Sequence, residues 1–262
     1  MTFAAAAEDY DRFIGRYGAS LAQALIAFAG VEPGMRALDV GCGPGALAAQ
    51  LAGRLGVEHV AAAEPSPTFA QAARERLGGV EVVQAEAEAL PFADDRFDAA
   101  LAQLVLNFLA DPQRGVREMA RVTRPGGVVA ACVWDYAGAM TLLRAFWDAA
   151  REVDPVGGAA ADEGAVMALG REGALAELLV GGGLQDVRVA AIEATARYEG
   201  FTDLWAPLTA GVGPAGAYCA ALDDRRRAAL RDALRARLDV GEAPFALTAR
   251  AWAAAGTVPG AA

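Results

Sequence analysis

The residues in this chain best placed to do chemistry are an acid and the glycines behind it. Asp39 is followed by Gly41, Gly43 and Gly45 at every second position. Such a run binds rather than reacts, because glycine allows positive φ in a tight bend and leaves room for a ligand against the backbone. The apolar run Met35 to Val40 in front of it has the character of a short buried strand. Behind it, Leu47, Leu51 and Leu55 recur every four residues and predict a helix from Ala46 to Leu55. Strand, glycine turn and helix form a nucleotide-binding crossover, in which free N–H groups at the helix start face the ligand.

Two nucleotide readings compete at this turn. Gly41-x-Gly43-x-x-Ala46 satisfies a dinucleotide fingerprint, and Asp39-x-Gly41-x-Gly43-x-Gly45 satisfies an acidic one. The carboxylate separates them, since it repels a pyrophosphate but suits a ligand carrying an ammonium and a sulfonium. A ligand-free turn is the third reading, and three glycines after a buried strand make it a costly one. Glu64 stands 19 positions past Gly45, at the end of the predicted strand Val57 to Ala63. A carboxylate there can accept from both hydroxyls of a ribose, whichever nucleotide is bound. As a bare acid at a strand end it would simply be solvated.

The acidic glycine pattern resembles that of class I methyltransferases, which use S-adenosylmethionine. The stretch Ala85-Glu86-Ala87-Glu88-Ala89-Leu90-Pro91-Phe92 resembles the Gly-Asp-Ala-Glu-x-Leu-Pro-Phe segment of the small-molecule members, and Arg124-Pro125-Gly126-Gly127 is a further family feature. The departures are Ala85 for Gly and the longer Glu86 for Asp. The likeness is close from Asp39 to Trp134 and elsewhere rests on architecture. It implies a Rossmann-like α/β fold with a seven-stranded, mostly parallel sheet, the last strand antiparallel and helices on both faces. It also implies a helical lid over residues 1–30 and a methyltransferase domain over 31–262, with a cap inserted at about 199–241.

By that resemblance the cofactor is S-adenosyl-L-methionine, with Glu86 accepting from the adenine amino group and the Ala87 N–H meeting a ring nitrogen. Arg16 or Tyr10 would meet its carboxylate. The expected cofactor contacts are Arg16, Asp39, Gly41, Gly43, Gly45, Glu64, Pro65, Ser66, Glu86, Ala87 and Gln103. The expected substrate contacts are Phe13, Tyr17, Asn107, Trp134, Tyr136 and Trp205, although by type an aromatic is more often a core residue than a ligand contact. The family often has a histidine near Asn107. An amide can orient a nucleophile but is a poor base. No dedicated base is evident, and Asp135, Tyr136 or Asn107 with a water are the alternatives. The implied reaction is methyl transfer to an O, N, S or C nucleophile, chiefly by alignment. A cofactor binder without catalysis and an NAD(P)-dependent oxidoreductase are the competing functions, the latter without a Tyr-x-x-x-Lys motif because the chain has no lysine.

Further elements must hold these residues in place. Tyr10, Phe13, Ile14, Tyr17, Leu21, Leu25 and Phe28 follow helical spacing, with a break near Gly15 and Gly18. Strands are expected at Val80 to Gln84, Phe97 to Ala102, Val128 to Trp134, Val187 to Ile192 and Phe245 to Ala253. Helices are expected at Thr68 to Leu77, Pro112 to Val122, Met140 to Arg151, Glu172 to Val180 and from Asp223. The Gly/Ala/Asp-rich segment Asp154 to Gly164 is expected to be a mobile loop.

The 262 residues suffice for one large α/β domain, and the net charge of -10 argues against nucleic acid as a partner. The expected partner is a small-molecule substrate. Three scattered cysteines, one histidine placed away from the glycine rim, no signal-peptide pattern and no bilayer-spanning run point to a cytoplasmic protein without a metal or a membrane. The arginines of the last helix form an ordinary solvated face beside compensating aspartates.

Overall fold

The computed structural model describes residues 7–260, and the expectations for Met1 to Ala6 lie outside them. The N-terminal segment is broken as its glycines demand. It runs as α1 (Ala7–Arg12), a 3-10 turn (Ile14–Tyr17) and α2 (Gly18–Ala29). There follow β1 (Ala37–Val40), α3 (Ala46–Leu55), β2 (Val60–Ala63), α4 (Pro67–Arg76), β3 (Glu81–Val83) and β4 (Phe97–Gln103). Next come α5 (Pro112–Val122), β5 (Thr123–Trp134), α6 (Thr141–Val153), α7 (Pro155–Ala161), α8 (Glu163–Val166) and α9 (Ala174–Gly181). The chain ends with β6 (Gln185–Tyr198), α10 (Phe201–Thr209), α11 (Gly213–Ala221), α12 (Asp224–Leu238) and β7 (Phe245–Thr257).

The strands form one seven-stranded sheet in the order β3-β2-β1-β4-β5-β7-β6. β7 is antiparallel to both neighbours, and the other ladders are parallel. The expected sheet, with its last strand reversed, is therefore the one found. Helices cover both faces of the sheet, and every residue of β1 and β2 is buried. Ala61, Ala62, Ala63, Ala99, Ala100, Ala130 and Ala131 line these strands, and such small side chains let helix and sheet approach closely.

The strand order reverses between β1 and β4, since β1 leads outward to β2 and β3 while β4 leads to β5. In open α/β sheets a crevice opens at that point, beyond the carboxyl ends of the strands. The glycine turn after β1 and the segment Gln103 to Phe108 after β4 form its two lips.

Two expectations are corrected. Asp154 to Gly164 is not a loop: Asp154 accepts from Gly157 N at 3.0 Å and Asp162 from Gly164 N at 2.9 Å, so each aspartate caps a short helix. Composition alone pointed to a loop and missed the caps. The sixth strand also runs well past Ile192, to Tyr198. From Ile192 onward, paired with β7, its alternate residues are buried on one face of the sheet, a two-residue period that the shorter expected strand left out. His59 lies in a 3-10 turn at the start of β2, partly exposed beside Glu58, away from the crevice.

Candidate functional site

A cavity of about 870 Å³ occupies the crevice. Glu64 follows β2 and Trp134 ends β5, three strand positions apart, a span of roughly 14 Å at the usual strand spacing. The cavity therefore has two ends, one at the glycine turn and one beyond β5.

At the first end, the backbone of the turn is tied to β2. Gly41 N and Cys42 N donate to Ala63 O at 2.8 and 3.0 Å. Gly43 N donates to Glu64 Oε2 at 2.8 Å, and Ser66 N donates to Glu64 Oε1 at 2.9 Å. Both carboxylate oxygens are thus fixed, each with acceptor capacity left for a ligand on the cavity side. Burial raises the Glu64 pKa, opposed by the N–H groups of Ser66 and Gly43. Gly43 has φ +53°, and a Cβ there would meet no protein atom within 4 Å. It borders the cavity, so the space its missing side chain leaves is open to a ligand. Gly41 has a different reason to be glycine, because a Cβ would lie 2.6 Å from Val105 Cγ2 across the crevice.

Asp39 sits under this turn rather than in it. Its side chain is fully buried, and Oδ2 accepts from Ala48 N at 2.8 Å, which satisfies one free donor in the first turn of α3. Oδ1 is buried without a hydrogen-bond partner among the described residues. Burial pushes the pKa up to about 8, with the Ala48 N–H opposing and Glu64 adding to the rise.

Gly41, Gly43, Glu64, Pro65, Glu86, Ala87 and Gln103 all border the cavity, as do Phe13, Asn107, Trp134 and Tyr136, four of the expected substrate contacts. Asp39, Gly45 and Ser66 support the turn from outside the cavity wall. Gly45 opens α3 in left-handed backbone, and a Cβ there would press 2.9 Å from Leu77 Cδ1. Gln103 Nε2 donates to Gly18 O at 3.2 Å, and its Oε1 is buried without a partner among the described residues.

Three expected contacts stand elsewhere. Arg16 is turned away from the cavity, with Nη2 2.5 Å from Asp203 Oδ1, Nη1 donating to Arg197 O at 2.9 Å and its plane over the Tyr198 ring. A guanidinium so satisfied has little reason to leave. Tyr17 is fully buried, edge-on to Trp134 and hydrogen-bonded to Tyr198 at 3.4 Å. Trp205 stacks on Phe201 within the core formed by the inserted helices. Asp135, an alternative base, is clamped by Arg250 Nε and Nη2 at 2.9 and 2.5 Å and by Ala139 N. Its role is to fix the exit from β5.

Beyond β5 the cavity is walled by Phe13, Trp134, Tyr136, Leu143, and Val212 with the first turn of α11. Asn107 Oδ1 accepts from Leu169 N at 3.2 Å, and its amide nitrogen is buried without a hydrogen-bond partner among the described residues. Burial holds the Tyr136 pKa well above the ordinary phenol value, so its hydroxyl stays protonated. One acid on this wall was not anticipated. Glu163, buried at the start of α8, accepts from Trp147 Nε1 at 2.9 Å. Nothing in the local sequence marks it, because its burial depends on α6 packing over α8. The cysteines are all buried and free, and burial pushes their thiols up, away from nucleophilic use. Among the described residues no cluster of His, Cys, Asp and Glu could hold a metal ion, and no helix is long and apolar enough to cross a membrane.

Comparison with known proteins bears on this geometry. Residues 38–131 match the model of the methyltransferase domain family. An uncharacterised protein of Mycobacterium tuberculosis is 34% identical over 134 residues, 50% of this chain and 48% of its own length. The demethylmenaquinone methyltransferase of Clavibacter sepedonicus is 40% identical over 102 residues, 38% of this chain and 41% of its own. The alignments thus span about half or less of these curated relatives. Among solved structures, phosphoethanolamine N-methyltransferase 2 of Haemonchus contortus, in complex with S-adenosyl-L-methionine, superposes with a TM-score of 0.57. That match covers 92% of this chain and 53% of the other at 16% identity, a likeness of fold. The matched stretch runs from the glycine turn into β5, so this part of the chain is similar to methyltransferase domains, and the sheet order described has the fold of such enzymes.

Proposed function

We propose that this protein transfers the methyl group of S-adenosylmethionine to a nucleophile of a small molecule enclosed beside it. The observation that carries the reading is the wall where Gly43 leaves an open cradle and Glu64 is held by two backbone N–H groups. The residues fit the cofactor. Glu64 has acceptor capacity for ribose hydroxyls. The Gln103 Oε1 atom lacks a partner on a residue that borders the cavity, which suits a cationic ligand there. Glu86 and Ala87 border the same end, where an adenine would be recognised.

The bound cofactor supplies an activated methyl group, so the protein's work is placement. Glu64 and the glycine turn fix the nucleoside. The Asn107 amide, set by Leu169 N, orients an oxygen or nitrogen of the acceptor. Holding the two reactants in register can be worth about 7–11 kcal/mol of barrier. The N-terminal segment, through Tyr10, Phe13 and Ile14, serves as a lid, and the insertion at 199–241 serves as a cap through Val212 to Ala215. Between them they exclude water, which helps a reaction that disperses charge.

Calorimetric titration tests this reading. S-adenosylhomocysteine should bind, and NAD(H) and NADP(H) should not. Turnover of labelled S-adenosylmethionine on a metabolite mixture then separates catalysis from simple binding of the cofactor.

A further inference from the structure

Two neighbouring acids at the start of α8 are treated in opposite ways. Asp162 and Glu163 are both buried, at 2% and 3% exposure. Asp162 is compensated: Arg144 meets both its oxygens at 3.1 and 2.7 Å, and Arg151 lies 3.4 Å away. Glu163 has only the neutral Trp147 N–H on Oε2. The one side-chain hydrogen bond of this carboxylate among the described residues is thus on Oε2, and Glu163 forms part of the cavity wall. A buried carboxylate without a countercharge is costly unless something in the site uses it.

The surroundings define the use. Asp162 adjoins Glu163 on its own element, Arg144, Asp148 and Arg151 line the facing side of α6, and Tyr136 faces it from the end of β5. Tyr218 of α11 packs on the Trp147 ring. The arginines are engaged by Asp148 and Asp162, which leaves Glu163 to the cavity. The adjoining walls, Trp134, Tyr136, Leu143 and Phe13, are aromatic or aliphatic.

We propose that Glu163 accepts the proton of the acceptor's nucleophile, and that the acceptor is an uncharged phenol. This rests on the methyl-transfer reading above. A cationic amine would pair with Glu163 and be held in its protonated, unreactive form. An aliphatic alcohol is too weak an acid for a carboxylate to deprotonate. A phenol is neutral on entry, suits the apolar walls and becomes a nucleophile on losing its proton. In the step, the phenol proton moves to Glu163 Oε1. The oxygen lone pair forms the bond to the methyl carbon as the carbon–sulfur bond breaks, and its electron pair stays on sulfur. The products are an aryl methyl ether, neutral S-adenosylhomocysteine and protonated Glu163, which returns its proton to water. The Tyr136 hydroxyl and the Asn107 amide are placed to donate to the developing phenolate.

The position of Glu163 gives the step a pH signature. Burial pushes its pKa up to about 7, the Trp147 N–H opposes the rise, and Asp162 adds to it. The carboxylate needed to accept a proton is therefore present above about pH 7.

The test uses protein loaded with S-adenosylhomocysteine, with 2-naphthol as the probe and 2-methoxynaphthalene as the control that lacks the proton. 2-Naphthol should bind roughly ten-fold more tightly at about pH 8 than at about pH 5.5, through a midpoint near 7, and the ether should bind weakly with no pH dependence. Glu163→Gln keeps an acceptor for Trp147 and should retain S-adenosylhomocysteine binding while losing the pH dependence. Trp147→Phe removes the opposing N–H and should move the midpoint upward. With labelled S-adenosylmethionine, the wild-type protein should form 2-methoxynaphthalene, and Glu163→Gln should be slower by about 10²-fold or more. Equal binding of naphthol and ether, no binding of naphthol, or an unchanged pH profile in Glu163→Gln would overturn the proposal while leaving the cofactor reading intact. Failure of the wild-type protein to bind S-adenosylhomocysteine would remove both.

Discussion

Gly43 and Glu64, 21 residues apart, are joined by a 2.8 Å hydrogen bond from the glycine N–H to Oε2. The bond fastens the turn after β1 to the end of β2, so the cradle and the acid beside it form one rigid wall. Removing either partner should therefore change ligand binding more than folding.

Glu64→Ala deletes the acceptor of two backbone N–H groups and the expected acceptor of the ribose. Affinity for S-adenosylhomocysteine should fall by about 1–3 kcal/mol in calorimetry. An unchanged affinity in a folded variant would reject the role given to this residue.

Glycines of the same turn should fail in different ways. Gly43→Val puts a branched side chain into the open cradle and should abolish cofactor binding. Gly45→Ala meets Leu77 at 2.9 Å with φ +99° and should lower stability by about 1–2 kcal/mol, with a smaller effect on binding. Denaturant unfolding beside calorimetry separates the two.

Arg250→Ala strips the buried Asp135 of its partner. Stability should fall by about 2–3 kcal/mol in thermal or denaturant unfolding, because a buried carboxylate is left uncompensated. If Asp135 were instead the base, Asp135→Asn would remove a pH limb from turnover; we expect it to lower the melting temperature and leave the pH profile in place.

The raised acids make stability depend on pH. The pKa of Glu163 rises from 4.5 to about 7 and that of Asp39 from 3.8 to about 8, each chiefly through burial. Between the unfolded and folded values the native state holds more protons than the unfolded state, so stability falls as pH rises through that window. The melting temperature of the free protein should drop from about pH 5 to about pH 8.5. Glu163→Gln should be the more stable protein at the upper end, by an amount on the order of 2–3 kcal/mol. A flat profile would mean that these acids are not held as described.

The fold was legible in the sequence where local chemistry is unambiguous. Both ends of α5 were set by Asp111 and Pro112 at its start and by the strand that follows Val122. The start of α3 was set by the glycine turn. The residues of the proposed cofactor wall were legible as neighbours for the same reason, since they lie on loops at one edge of a parallel sheet and line one cavity. The far end of the cavity was not. Arg16 has the right charge to meet a carboxylate, but Asp203, 187 residues away, holds it first. Glu163 lies in a segment whose composition resembles a loop, and only the Arg144–Asp162 pair and the Trp147 contact make it a buried wall. Charge compensation across the chain decides both cases, and no local pattern records it.

The most direct measurement is a crystal structure of the protein with S-adenosylhomocysteine. We expect the nucleoside in the cavity, its ribose hydroxyls on Glu64, its adenine beside Glu86 and Ala87, and its chain over Gly43. Ligand density on another surface, or a cavity that stays empty at saturating ligand, would contradict that placement.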